Sequence, residues 1–221
     1  TRSFSQVEFV DSNLPILLIT TDKDSNTDVP LEIIDEPKVL ATMKIIKRPD
    51  GSRNYLTDEN STEFLNYNAR IKIELRGSSS MELPKKSYSL TTVKSDNTSN
   101  NNVSILGMPS ENDWILNSLA FDPSLIRDYL SYDISRKLGN YASRTQYCEV
   151  ILNGDYIGLY VFQEKIKANA NRVDVAKIEK TDIDLDNLTG GYITKADRPD
   201  INQPPTWVME DTNFVHVLPK P

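Results

Sequence analysis

The chain has 221 residues, and its 32 acidic against 25 basic side chains give a formal net charge of −7, which speaks against general nucleic-acid binding and confines any basic patch to a local feature. One cysteine, Cys148, excludes an internal disulfide and a thiolate metal cluster, and one histidine, His216, excludes a His-rich metal site and leaves a Ser-His-Asp triad a single available base. At 38% hydrophobic and 26% charged, with no apolar run near the roughly 18–20 residues that span a bilayer, the composition suits a globular chain of one large domain, or one and a half, whose chemistry runs on carboxylates, lysines, arginines and hydroxyls.

In chain order, "LPILLITTD" (14–22) is an apolar run bounded by turn residues and predicts a buried strand. "KVLATMKIIKR" (38–48) alternates at Val39, Ala41, Met43 and Ile45 and predicts another, and the polar "PDGSRNYLTDENSTEF" after it reads as a hairpin or excursion. "NARIKIELRG" alternates cleanly and "KSYSLTTV" answers it, whereas "KSDNTSNNNVS" (94–104) has no periodicity and reads as a mobile loop. A helix is expected from about Pro123, with Asp122 as cap, Gly139 just past its end and Arg136 and Lys137 in its last turn. Ile126, Leu130, Ile134 and Leu138 recur every four residues, which predicts one buried stripe.

"TQYCEVILNGDYIGLYVFQEKI" (145–166) carries the strongest local signal, because Asn153-Gly154 suits a two-residue type I′ turn between strand formers. Gly158 predicts a bulge or a close backbone approach in the second strand. "KTDIDLDNLTGG" is acidic and turn-rich, and "GGYITKADRPD" (190–200) is a short strand ending at Asp197. "INQPPT" reads as an irregular loop before "WVMEDTNFVHVLPKP". No internal repeat is visible, and β-rich, helix, hairpin, strand in that order implies an α+β fold, mostly antiparallel sheet with packed helices.

The stretch "IELRGSSSMELPKKSYSL" (73–90) sets Arg76, Lys85 and Lys86 beside Gly77, Ser78, Ser79 and Ser80. Two readings stand: a phosphate cradle, in which glycine lets the backbone approach an anion and hydroxyls and cations meet its oxygens, and a basic hairpin whose charges are a solvated edge. Asp197 at a strand end suits a Mg²⁺ ligand or a turn-starting aspartate. Glu164, flanked by Lys165 and Lys167, either positions a lysine or forms a surface pair. Arg127 reads as a structural partner for a nearby carboxylate, Trp114 and Trp207 as core or edge aromatics or the cover of a purine, and His216 as structural.

The segments "LPILLITTD", "ARIKIELRGSSSMELPKKSYSL", "ILGMPSENDWILNSLAFDPSLIRDYLSYDISRKLG", "YCEVILNGDYIGLYVFQEKIK", "NRVDV" and "GGYITKAD", in this order, resemble the spore coat protein H (CotH) family. The resemblance spans residues 14–221, with 1–13 as an N-terminal tail, and its specificity lies in the combination of segments. It implies an atypical protein kinase with a secretory-kinase-like fold, of which this chain holds the N-terminal and central part. The activity implied is transfer of the ATP γ-phosphate, with Mg²⁺ or Mn²⁺, to Ser or Thr hydroxyls of extracytoplasmic, coat or surface proteins. The implied location is outside the cytoplasm, secreted or surface-anchored, after removal of a signal. No nucleic acid and no transmembrane segment enter this expectation, and the rival is a non-catalytic surface scaffold with the same fold.

By that resemblance Arg76, Gly77, Ser78, Ser79 and Ser80 form the turn over the phosphates, and Lys85 or Lys86 contacts them. Adjacent strand residues face opposite ways, so only one of the two lysines can do so. Asp197 is the implied catalytic or metal-binding aspartate, Asp211 a second metal ligand, and Glu164 the residue that orients the nucleotide lysine. The usual kinase signatures His-Arg-Asp, Asp-Phe-Gly and Gly-x-Gly-x-x-Gly are missing.

Overall fold

Seven strands close into a barrel, and their interior side chains are the core. The computed structural model describes residues 8–176, 178–179, 181–197, 207–209 and 212–218, apart from the side chains of Asn187 and Asp197. These residues fall into two compact units, one ending at Lys165 and the other beginning at Ile166.

The barrel strands are β1 (Ile16–Thr21), β2 (Val39–Ile46), β3 (Leu65–Arg76), β4 (Ser87–Thr92), β5 (Asp113–Asn117), β6 (Thr145–Leu152) and β7 (Asp155–Glu164). Around the barrel the order is β6-β7-β5-β4-β3-β2-β1, antiparallel throughout except where β1 returns parallel to β6, Glu149 against Ile16 to Leu152 against Ile19. Successive strand side chains point to opposite faces, so every second residue enters the barrel. Leu17, Ile19, Ala41, Met43, Ile45, Ile71, Ile73, Leu90, Trp114, Leu116, Cys148, Val150, Tyr160 and Phe162 fill it, each no more than 2% exposed. Each large apolar side chain enclosed there contributes roughly 1.5–3 kcal/mol.

The expectation of an α+β, secretory-kinase-like fold with packed helices is overturned. Among the described residues one helix exceeds two turns, α1 (Arg127–Lys137), and the architecture is predominantly β. The reason is closure: strands that pair all the way round enclose the core among themselves and need no helical layer to cover it.

Most strand expectations hold, and the Asn153-Gly154 turn is as read, with φ of 51° and 90° at its two residues and Leu152 paired to Asp155. A bulge in β7 is also present: Val150 faces Gly158 while Ile151 faces Tyr156, so Ile157 is the extra residue. The segment read as a mobile loop differs. Asp96 Oδ1 accepts the Thr98 and Ser99 amides at 2.8 Å each, and Lys94 N–H donates to Ser99 C=O at 2.8 Å, which makes it a closed turn leading into the short ladder of Val103–Ile105 with Met108–Glu111.

Helix α1 starts four residues later than expected, because Leu125 at φ 57° cannot continue a helix back to Pro123. Its inward face also differs. Ile126, Leu130 and Ile134 are 47–48% exposed and Leu138 is 73% exposed. Leu125, Tyr129, Tyr132, Asp133, Ser135 and Arg136 are half-buried, all but Ser135 spaced as one helical face, with the Tyr129 ring stacked on Tyr147 of β6 at 4.7 Å and Arg136 donating to the Ser143 carbonyl. An aromatic and polar seam thus docks the helix, and the apolar stripe faces away.

The second unit holds a three-stranded antiparallel sheet of β8 (Ile193–Asp197), β9 (Trp207–Met209) and β10 (Thr212–Leu218), with β10 in the middle. Trp207 stacks on Phe214 at 5.3 Å, and Thr194 Oγ1 lies 3.2 Å from His216 Nδ1, a structural setting for that histidine. No helix among the described residues is long and apolar enough to cross a membrane.

Candidate functional site

The β3–β4 connection turns sharply at Gly77, whose φ of +129° is a left-handed region open to glycine. A Cβ there would lie 1.9 Å from Ser80 Oγ, so the turn folds back over its own glycine. Ser79–Glu82 then form a single 3₁₀ turn, with Met81 N–H donating to Ser78 C=O at 3.0 Å and Leu83 N–H to Ser80 C=O at 3.3 Å.

This turn rims a hollow of about 390 Å³ whose other walls come from the end of β5 and the approach to α1. Arg76, Ser79 and Ser80 line it together with Asn117, Arg127 and Asp128. Its floor is a buried hydroxyl pair, Ser87 Oγ and Ser118 Oγ 3.0 Å apart, with Ser118 N–H donating to Ser87 Oγ at 3.0 Å. Among the described residues, the side chains of Arg76, Ser78, Ser79 and Ser80 make no hydrogen bond or ion pair, so their donors are uncommitted. Arg76 can bind an anion in fork geometry, and serine hydroxyls rotate to suit it.

Two carboxylates share the hollow and are occupied. Asp122 accepts Ser124 N–H at 3.0 Å, Ser124 Oγ–H at 2.6 Å, Ile126 N–H at 3.0 Å and Arg127 N–H at 2.8 Å. The Ser124 hydroxyl above all, then the Arg127 amide, hold its carboxyl down at about 2. Arg127 Nε stands 3.5 Å from the same carboxylate, the structural pairing expected of it. Asp128 Oδ2 accepts from Asn117 Nδ2 at 3.0 Å.

Lys85 and Lys86 line a different hollow, of about 340 Å³, with Tyr88, Ile157 and Tyr160. Lys85 Nζ donates to the Leu159 carbonyl and rests 4.6 Å above the Tyr160 ring, and burial pushes its ammonium below the ordinary lysine range. Lys86 Nζ donates to the Met81 carbonyl and ties down the serine turn from behind. Glu164, at the end of β7 and fully buried, accepts Arg144 Nη1 and Arg144 N–H at 2.9 Å each. Asp197 closes β8, its backbone paired with Asn213, while its side chain and the whole of Asp211 lie outside the described residues. Trp114 is core, stacked on Phe162 at 5.2 Å.

Of the residues singled out in the sequence, the structure thus gathers Arg76, Ser79 and Ser80, sets Lys85 and Lys86 in a second hollow, and gives Glu164 an arginine. Asn117, Ser118 and Asp128 escaped the sequence reading, and "ILNS" before the helix is the one local hint of them. Uncommitted cationic and hydroxyl donors converge in the first hollow, a donor set whose chemistry suits phosphate oxygens. Among the described residues no three of His, Cys, Asp and Glu cluster as a metal site. Mg²⁺ is usually held by one or two carboxylates plus phosphate oxygens and water, so it does not need such a cluster.

A protein-family profile described as CotH kinase protein matches residues 73–214, which takes in the serine turn, both lysines, α1, the β6–β7 hairpin and β8. No curated protein matches the chain.

Proposed function

The chain belongs to the CotH kinase family, and on that premise we propose that it is an atypical protein kinase transferring the ATP γ-phosphate to Ser or Thr hydroxyls of extracytoplasmic proteins. The observation that carries the proposal is the hollow at the β3–β4 turn, whose Arg76, Ser79 and Ser80 donors are uncommitted among the described residues. In this reading Arg76 and the serine hydroxyls hold phosphate oxygens, and Arg127 adds positive charge to the same wall. By the family resemblance Asp197 and Asp211 would hold a Mg²⁺ or Mn²⁺, which when bound would supply charge neutralisation for a transferring phosphoryl group. Phosphoryl transfer asks for positioning and charge neutralisation, which is chemistry available to a chain with one His and one Cys. The extracytoplasmic location and the protein substrate rest on the family resemblance alone.

The test is intact-mass detection of phosphate on the protein itself or on an added Ser-rich protein, with ATP and Mg²⁺ or Mn²⁺. It uses the longest natural chain containing this segment, with Asp197→Ala and Arg76→Ala beside it. Transfer by the unaltered protein and loss in both variants is the expected outcome. No transfer, together with no metal-dependent ATP binding, favours the second reading, an interaction scaffold. The exposed stripe Ile126, Leu130, Ile134 and Leu138 is the observation on that side.

A further inference from the structure

We propose that a hollow on the outer face of the β1–β6 seam is a docking site for an arginine-bearing segment of a partner protein, its guanidinium lying against Phe9 and Tyr156 and meeting the Glu8 and Glu59 carboxylates. The proposal does not rest on phosphate transfer, and this hollow shares no lining residue with the one at the β3–β4 turn.

The floor follows from strand register. Leu17 and Ile19 point into the barrel, so Leu18 between them points out. Leu18 stands opposite Ile151 across the parallel pairing, and Ile151 stands opposite Tyr156 across the hairpin. Directly paired residues share a face, so the three side chains form one row on the outer surface. Leu56 joins them from the 3₁₀ turn Leu56–Asn60, and Gly154 lines the hollow without a side chain. The volume is about 500 Å³.

The walls are held in place. Tyr156 O–H donates to Glu149 Oε2 at 2.8 Å, and Ser12 Oγ–H donates to Glu149 Oε1 at 3.1 Å. The Phe9 ring stacks on Tyr156 with centroids 4.4 Å apart. Leu56 N–H donates to Val10 C=O at 2.8 Å, and Asp11 and Ser12 pair with Tyr55 and Asn54. The segment carrying Glu8 and Phe9 is thus tied to the turn carrying Glu59, and little ordering is left for a ligand to bring about.

The charge is one-sided. Glu8 is exposed and Glu59 half-buried, and neither carboxylate makes a hydrogen bond or ion pair with a described residue. Two cations of the adjoining β2 segment are committed: Lys44 Nζ donates to the Glu59 carbonyl and Asn60 Oδ1 at 3.1 and 3.2 Å, and Arg48 holds the Asp58 carboxylate at 2.8 and 3.0 Å. An apolar floor, an aromatic wall and two unpaired carboxylates complement a side chain with an aliphatic stem and a flat cationic head. Arginine has that shape: its plane stacks on aromatic faces, its fork pairs with carboxylates and its methylenes cover apolar surface. An apolar residue beside it in the partner segment has Leu18, Leu56 and Ile151 to cover.

The probe is the acetylated, amidated peptide Gly-Leu-Arg-Leu-Gly, titrated into the ¹⁵N-labelled full chain and followed through backbone amide shifts. The amides of Phe9, Glu59, Gly154 and Tyr156 are expected to move. The response should weaken with lysine in place of the arginine and vanish with glutamine there. Glu59→Gln is expected to weaken binding about threefold, the size of one partly exposed charge pair, and Glu8→Gln combined with it to weaken binding further. No shift at these amides in the unaltered protein, or equal shifts with the glutamine peptide, overturns the proposal. So does a folded double variant that binds the arginine peptide unchanged. Shifts at the same amides on diluting the protein alone, lost in Glu59→Lys, assign the face to a second copy of this chain and overturn the partner. Tetramethylammonium that moves these amides where the peptide does not assigns the hollow to a small cation, with the same consequence.

Discussion

Single residues in this protein are decided by the space and charge around them. Gly77 is the clearest case, with a left-handed backbone and a Cβ position already taken by Ser80 Oγ. Gly77→Ala should cost about 1–3 kcal/mol in urea unfolding, from backbone strain and the displaced hydroxyl together. Glu164 illustrates a different balance. Its neighbours in sequence, Lys165 and Lys167, suggested a carboxylate that positions a lysine, but at the end of β7 it meets the Arg144 guanidinium and amide. Truncating Arg144 leaves a fully enclosed carboxylate with the Arg144 amide but without the guanidinium that meets its Oε1. Arg144→Ala should therefore cost about 2–3 kcal/mol by chemical denaturation, below the 3–5 of a fully buried pair because the arginine is 44% exposed. Which partner a buried charge finds depends on residues twenty positions away, and local sequence does not carry that.

At the scale of elements, α1 and the turn before it separate what is local from what is not. The cap expected at Asp122 is not the helix N-cap, which is Ile126 without a side-chain cap bond, because the helix starts at Arg127; Asp122 closes the turn before it, its carboxylate taking the Ile126 and Arg127 amides. Its folded pKa of about 2 lies below the ordinary 3.8, so the stabilisation is present above pH 4 and is lost as pH falls through 2. Asp122→Asn should flatten the acid limb of the stability profile between pH 4 and pH 2, a difference that thermal unfolding followed by circular dichroism would reveal. The buried face was not legible. Hydropathy pointed to Ile126, Leu130, Ile134 and Leu138, but the Tyr129–Tyr147 stack and Arg136 turn the helix by about one residue. Leu130→Gln should accordingly stay within about 0.5 kcal/mol of the parent in urea, where an enclosed leucine would cost several times more.

For the whole molecule, closure of the barrel is the governing feature. It places Cys148 at full burial on the inner face of β6, where loss of solvation pushes the thiol far above its ordinary range. Under native conditions Cys148 should not react with a disulfide-exchange reagent, and its modification should track global unfolding as denaturant rises. Prompt reaction in the native state would mean an open barrel. Ile73→Ala, inside the same enclosure, should cost about 2–5 kcal/mol in urea, as expected of large-to-small changes in a close-packed core.

The sequence by itself determined what depends on neighbours a few residues apart. These are the alternating strands, the Asn153-Gly154 turn, the bulge next to Gly158, the family resemblance and the grouping of Arg76 with Ser79 and Ser80. Period-two burial and left-handed turns are short-range constraints, written in the residues that obey them. Tertiary structure alone decided the rest. The parallel pairing of β1 with β6 joins residues more than 130 positions apart and turns a sheet into a barrel, and that closure replaced the expected helical layer. The same long-range packing sent Lys85 to β7 and Lys86 to the serine turn, gave Glu164 its arginine, and turned α1 onto its tyrosine seam. Each of these is a contact between segments distant in the chain, chosen by the shape and charge of the surface met on folding, which no local window of sequence contains.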